Sequence, residues 1–477
     1  MISQENNPYF EAGFTANNQE IEVPNLEISG TIPEWIHGLL IRNGPGLVRS
    51  EKLVNHWFDG LSMLHRFEIR DGQVGYRSRF LDCNAYRAVK ETGRIAYAEF
   101  ATDPCKSLFQ KVHTLFQGGP AITDSAKVNI ANWNGRAFAL GEPLMQAEFD
   151  KDTLERVGVF DYGQKEKTGV TTAHPHIDGP RLYNLVQQFG ARSSYRILSS
   201  DGGAVRKEAS VGVGEPAYLH SFGMSRNYYI IAAGPLVVQP ITLLVGARPF
   251  IENFQWKPER GTQFYLIDRA TGKLAFQFKT PPFFSFHHVN AFEREDELVM
   301  DQVIYDDASI IQHYYLQRLS NPEIELPFGR LCRFVFNFRT GTYTQEYLSE
   351  QCIELPHFDY AYGFARPDYR YVYGVSLHPD RRRGFYNQLI KIDLEARQDK
   401  VWREEGCYPG EPVFVPAPDR TSEDDGVLLS VVLSSGEDAS FLLALDAKTM
   451  QETGRARLPQ KVLFGFHGIF FPEQNAL

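Results

Sequence analysis

The 477-residue chain contains no run of about 18 apolar residues, so no segment reads as a transmembrane helix. Its five cysteines (Cys83, Cys105, Cys332, Cys352 and Cys407) are scattered, and none forms C-x-x-C. That argues against a secreted disulfide framework and fits free thiols in a reducing cytoplasm. The polar start, MISQENNPYFEAGF, lacks the apolar core of a signal peptide. Lys and Arg never gather into a basic tract, and the net charge is −10 with a pI near 5.8. Nucleic acid is therefore not an expected partner. Three motifs are also missing: the phosphate-cradling G-x-x-x-x-G-K-[ST] and G-x-G-x-x-G, and the nucleophile elbow G-x-S-x-G.

Aromatic residues, by contrast, are plentiful. There are 35 Phe and 23 Tyr, and 43% of the chain is hydrophobic. Such a composition leans towards β structure or an aromatic-lined cavity. One unit recurs: a β-rich run, a short turn carrying Asp, Asn, Gly or Thr, and a second β-rich run. The clearest copies are TQFYLIDRATGKLAFQFK (262–279), LCRFVFNFRTGTYTQEYL (331–348) and SFLLALDAKTMQETGRARL (440–458). Four more lie at 64–80, 145–160, 194–209 and 387–402. Their turn residues, Asp71, Asp150, Asp201, Asp268, Asn337, Asp393 and Asp446, are 51 to 79 residues apart. Each copy reads as a hairpin. Most are preceded by an apolar strand suited to a doubly covered position, such as YYIIAAG (228–234) or GVLLSVVLS (426–434). Seven β-rich repeats with loop insertions predict an all-β, seven-bladed β-propeller, residues 1–477 as one domain, with segment 1–35 wrapping the ring.

Candidate chemistry lies in the histidines. His174 and His176 (TAHPHIDG), His220 (AYLHSFGMS), His287 and His288 (FSFHHVNAFE) and His467 (LFGFHGIFF) fall near inner strands of different repeats. A single histidine in an apolar strand is more often a satisfied core residue than a ligand. Four such sites on separate blades are different, because blades converge on one axis. Neutral imidazoles suit Fe, Zn, Cu or Ni. Spacing does not decide between His174 and His176, whose rings share a face if the chain is extended. Adjacent strand residues point to opposite faces, so His287 and His288 cannot both reach one ion. Three glutamates, Glu142, Glu354 and Glu411, also border apolar runs. A carboxylate there is costly unless paired, and the outer N–H of a metal-bound imidazole would pair it.

These motifs, with GLLIRNGPG (38–46), HWFDGLSMLHRF (56–67), DPCKSLF (103–109) and EDDGVLLSVVLS (423–434), resemble the carotenoid cleavage oxygenases over essentially the whole chain. The likeness is greatest to the animal-type branch of β-carotene oxygenases and the retinoid isomerohydrolase. The resemblance implies a propeller with a loop-built cap over its metal-containing face. It implies Fe(2+) held by His174, His220, His287 and His467, with Glu142, Glu354 and Glu411 orienting three of the imidazoles. His176 and His288 fall outside that set. The implied reaction uses O2 to cut a conjugated double bond of a carotenoid or apocarotenoid into two carbonyl products, with no protein acid or base. Stilbene cleavage is an alternative, against which Gly141 stands where those members tend to carry Lys. Isomerohydrolase chemistry is a second alternative, because that branch shares the site residues. A non-catalytic lipid-binding propeller is a third.

Such polyenes are nearly insoluble, so peripheral, monotopic contact with a membrane is expected. In CKSLFQKVHTLF (105–116), Leu108, Phe109, Val112, Leu115 and Phe116 share one helical face, with Lys106 and Lys111 nearby. PLVVQPITLLVGARPFI (235–251) is a second apolar segment, too broken by Pro and Gly to span. Oligomeric state is left open by the sequence.

Overall fold

A computed structural model describes residues 7–15, 19–46, 54–103, 123–162, 169–245, 248–379, 383–437 and 439–473. Among them the strands form seven sheets of four or more strands and one two-stranded ribbon. Blades 2 to 6 each follow the chain outward. Blade 2 runs Asn129–Trp133, Arg136–Leu140, Met145–Phe149, Arg156–Asp161, and blade 5 runs His288–Arg294, Glu297–Ile304, Arg330–Asn337, Thr342–Tyr347. All seven hairpins expected from the sequence are the two consecutive antiparallel strands on the outer side of a blade. The apolar runs before them are the second strands, and these are buried nearly throughout, as in Gly426–Ser434 and Glu297–Ile304.

The two ends of the chain close the ring. Gly468–Pro472 is the innermost strand of blade 1 and pairs with Gly38–Gly46. Glu22–Val23 adds to the outer edge of that blade, while Glu27–Gly30 adds to the outer edge of blade 7. Between them the N-terminal strands tie the first and last blades together. The helix Pro8–Phe14 packs Phe14 edge-on against Trp57, Phe385 and Phe464.

Antiparallel alternation sorts the loops onto two faces. Connections from fourth to first strand, and from second to third, emerge together on one face; the outer hairpins turn on the other. The longest connection, 81–128 from blade 1 to blade 2, is of the fourth-to-first kind and carries Asn84–Thr92, whereas two further long insertions are of the second-to-third kind. They carry Pro240–Val245 and Phe250–Asn253 in blade 4, and Ser309–His313 and Leu316–Leu319 in blade 5. They build the cap, whose buried aromatics join the largest apolar cluster. The second apolar segment read from the sequence is divided here. Leu236, Val237 and Val238 are core, whereas Ile241 is 62% exposed. Segment 105–116 lies outside the described residues. No helix among the described residues is long and apolar enough to cross a membrane. Cys83, Cys332 and Cys407 are buried and free, and Cys352 is buried.

Candidate metal centre

Each clustered histidine precedes or interrupts the innermost strand of its blade, on the capped face. Irregular pairing delivers them. In blade 3, Gly169–Thr171 and His176–Asp178 both pair with Arg181–Gln188. Between Thr171 and His176 the inner edge advances five residues, while its partner advances three, from Val186 to Tyr183. The two surplus residues form a bulge, and His174 lies in it. His176, back in the strand, turns away: its Nδ1 meets Tyr360 Oη at 3.0 Å and its Nε2 meets the Phe222 carbonyl at 2.9 Å. In blade 5 the register slips between His288 and Asn290. His287 faces the axis, and His288 Nδ1 lies 2.7 Å from Ser221 Oγ.

His174, His220, His287 and His467 converge, with one ring nitrogen from each within 4.8 Å of the others. Three are held from behind by carboxylates. His220 Nδ1 is 3.1 Å from Glu142 Oε1, His287 Nδ1 is 2.7 Å from Glu354 Oε2, and His467 Nδ1 is 2.7 Å from Glu411 Oε1. A carboxylate only accepts, so it keeps the proton on Nδ1 and leaves the Nε2 lone pair free. Tyr218 donates its hydroxyl to Glu142 at 2.7 Å, and Tyr305 donates to Glu354 at 2.8 Å. Glu411 instead receives the buried guanidinium of Arg42 and the Gly468 N–H. The Glu354 carboxylate also accepts the N–H of Leu355, a non-glycine residue at φ +45°, at 2.7 Å. That left-handed backbone is strain localised at the site.

The electrostatics follow from burial and these partners. Burial, with the neighbouring imidazoles adding to it, holds His174 well below the usual histidine range. Burial also lowers His220, against the pull of Glu142. Burial would raise Glu354, but His287, the Leu355 N–H and Tyr305 outweigh it and hold the carboxyl low. Glu411 is held low in the same way, with His467 and Arg42 opposing its burial.

The donor set fits a metal on three counts. His287 Nε2 and His467 Nε2 face each other at 3.2 Å, two lone pairs that repel unless a cation or proton lies between them. His174 Nε2 is buried and has no hydrogen-bond partner among the described residues. Glu142, Glu354, Glu411 and Arg42 together leave a formal charge of −2, which a divalent cation balances.

A cavity of about 220 Å³ opens onto the cluster, lined by His220, His287 and His467. Its walls include Trp57, Phe58, Phe286, Tyr314 and Phe466. Phe58 stacks on the His220 ring at 6.0 Å between centroids, and Phe286 meets it edge-on at 5.4 Å. The seven residues singled out in the sequence are thus brought together. Arg42, Tyr218, Tyr305 and the aromatic walls were not singled out. Arg42 left a signal, a charge inside the apolar run GLLIRNGPG. So did Tyr218, two residues from His220 in AYLH. Phe286 left one too, adjoining His287 in FSFHHVNAFE, and Phe58 lay unmarked inside the quoted run HWFDGLSMLHRF.

Four clustered imidazoles on the axis of a seven-bladed ring, three of them lining an aromatic-walled cavity, define a propeller with an imidazole-only candidate metal centre. The family described as "RPE65: Retinal pigment epithelial membrane protein" matches residues 14–472. The chain belongs to that family. It is 34% identical to a mitochondrial carotenoid-cleaving dioxygenase of Macaca fascicularis, over 94% of this chain and 92% of the other. It is 30% identical to a β,β-carotene 15,15'-dioxygenase of Gallus gallus, over 97% and 98%. Among solved structures, cobalt-substituted apocarotenoid oxygenase of Synechocystis superposes with a TM-score of 0.87 at 25% identity, covering 98% of each chain.

Proposed function

We propose that this chain is a non-haem iron(II) dioxygenase that cleaves a conjugated C=C bond of a carotenoid or apocarotenoid with O2, giving two carbonyl products. The observation that carries the reading is the opening of an aromatic-walled cavity directly onto three of the four clustered imidazoles. His174, His220, His287 and His467 would hold the iron, and when bound it would supply the activation of O2 for insertion across the alkene. The protein's own part is positioning. Glu142, Glu354 and Glu411 hold Nδ1 protons and ring orientations. Phe58, Phe286 and Phe466 exclude water and confine a flat apolar chain beside the cluster.

The test is anaerobic reconstitution with Fe(II), metal analysis, then incubation with β-carotene and apocarotenals under O2 with mass spectrometry of the products. Stoichiometric iron and paired carbonyl fragments are expected. With a polyene ester added as a further substrate, its hydrolysis to an isomerised alcohol and a free carboxylic acid, without cleavage of any C=C bond, would replace this reading with isomerohydrolase chemistry. Absence of iron would replace it with a binding module.

The reading includes peripheral contact with a membrane. It is supported by the insolubility of polyenes and the apolar spacing in 105–116. It is supported too by Pro240, Leu243 and Phe250, which line the cavity close to exposed Ile241. Replacing Leu108, Phe109, Leu115 and Phe116 by Ser is expected to release the folded protein from liposomes; undiminished binding would sink this part.

A further inference from the structure

The cavity wall holds one feature that alkene positioning does not use. Lys127 and Glu99 both line it, and both are buried, at 5% and 3% exposure. Lys127 Nζ donates to Glu99 Oε2. Thr123 also neighbours the Glu99 carboxylate as a side-chain hydrogen-bonding group, but the other carboxylate oxygen, Oε1, is buried and meets no donor at hydrogen-bond geometry among the described residues. An ammonium has three donors, and among the described residues only the bond to Glu99 engages this one. A buried ion pair is a weak contributor to stability, and leaving one of its oxygens unsatisfied weakens it further. Its place on the wall of a cavity whose other polar lining includes Asp103, Ser125, Arg248 and Asn253 gives that oxygen and those donors access to whatever fills the space.

We infer that the Lys127–Glu99 pair anchors a hydroxyl group carried by the polyene substrate, which deepens the reading above and rests on it. A hydroxyl is the oxygen function that answers both open positions. Its lone pair accepts an N–H from Lys127, and its proton is donated to Glu99 Oε1. An ether or aldehyde oxygen could only accept, and a hydrocarbon end would leave both open. The anchor is also tied to the metal-binding cluster. Lys127 adjoins Val128, whose carbonyl accepts the backbone N–H of His467 at 3.2 Å. A hydroxylated end seated there would set which double bond lies beside the imidazoles. Lys127 and Glu99 are thus specificity-determining residues, with a hydroxylated carotenoid or apocarotenoid as the favoured class.

The test uses the full chain without metal, so that it reads binding alone. Affinities for β-cryptoxanthin, its O-methyl ether and β-carotene are measured in detergent by quenching of tryptophan fluorescence. Wild type is expected to favour the alcohol over both others by about 10-fold or more, the size of a buried hydrogen-bonding mismatch. Lys127→Met alone leaves a buried carboxylate unpaired and is at risk of misfolding. The decisive variant is therefore the double change Lys127→Met with Glu99→Leu, which removes both charges together. Its preference is expected to fall to about one. An unchanged preference in the folded double variant, or no preference in wild type, overturns the proposal. Failure of the iron assignment would leave this ratio measurable, so the two readings fail separately.

Discussion

The two faces of the propeller solve the same problem, satisfying polar groups at strand ends, in opposite ways. On the hairpin face the solution is local. Asp150, Asp268, Asn337, Asp393 and Asp446 each accept the backbone N–H three residues on, at 2.7 to 2.9 Å. On the capped face the solution is remote. His220 reaches Glu142 across 78 residues, His287 reaches Glu354 across 67, and His467 reaches Glu411 across 56. A hairpin turn can form before the ring does. The histidine centre exists only once the blades have converged, so it is sensitive to the whole structure.

The comparison is broken most severely at His287. His287→Ala should cost more than the roughly 100-fold in metal affinity that loss of an outer partner costs at most. His288→Ala, one residue away, should retain iron and lose thermal stability instead, because its Nδ1 is bonded to Ser221. Equal loss of iron in two folded variants would refute the division between the two rings. The next largest effect is on the glutamates. Glu354→Gln should weaken metal binding by about 10- to 100-fold, read by competition with a chelator. Glu411→Gln should do the same and lower the melting temperature further, because it also strips the buried Arg42 of its carboxylate. Matching melting temperatures for the two variants would show that Arg42 is satisfied by its carbonyl partners alone.

Acid separates the two faces by pH window. Burial lowers His56, in the cap, to about 4 and His65, in blade 1, to about 3, from an ordinary 6.5. The unfolded chain therefore binds more protons than the folded one between those limits. Stability present above pH 6.5 is lost as pH falls, by up to about 1.4 kcal/mol per pH unit for each group. Asp268, held low chiefly by its hydrogen bonds from Thr271, loses its contribution only as pH falls below 3.8. Urea midpoints at pH 7, 5.5 and 4.5 should fall steadily; a flat profile would mean that these histidines are charged in the fold. The smallest effect belongs to the hairpin face. Asp446→Ala should cost about 1 kcal/mol and leave iron content unchanged, since it removes only the local bonds from Thr449.

This contrast also explains what could be read in advance. The seven hairpins were legible because a turn residue, the backbone N–H that donates to it and its flanking β runs lie within some 18 residues. The resemblance supplied the seven site residues, but spacing alone left His174 and His176 equivalent. The bulge between Thr171 and His176 separates them, and a register shift is a property of two strands together. The same holds for Leu355, whose left-handed backbone follows from the slip between Glu354 and His357 against the next strand.

By itself, then, the sequence determined the number of blades, the position of each outer hairpin and the residue types available for chemistry, because these depend on alternation and turn propensity over short spans. Tertiary structure alone decided which rings face the axis, that Arg42 backs Glu411, and that Lys127 and Glu99 meet in the cavity wall. Those outcomes depend on bulges and ring closure, which bring together groups that share no local signal.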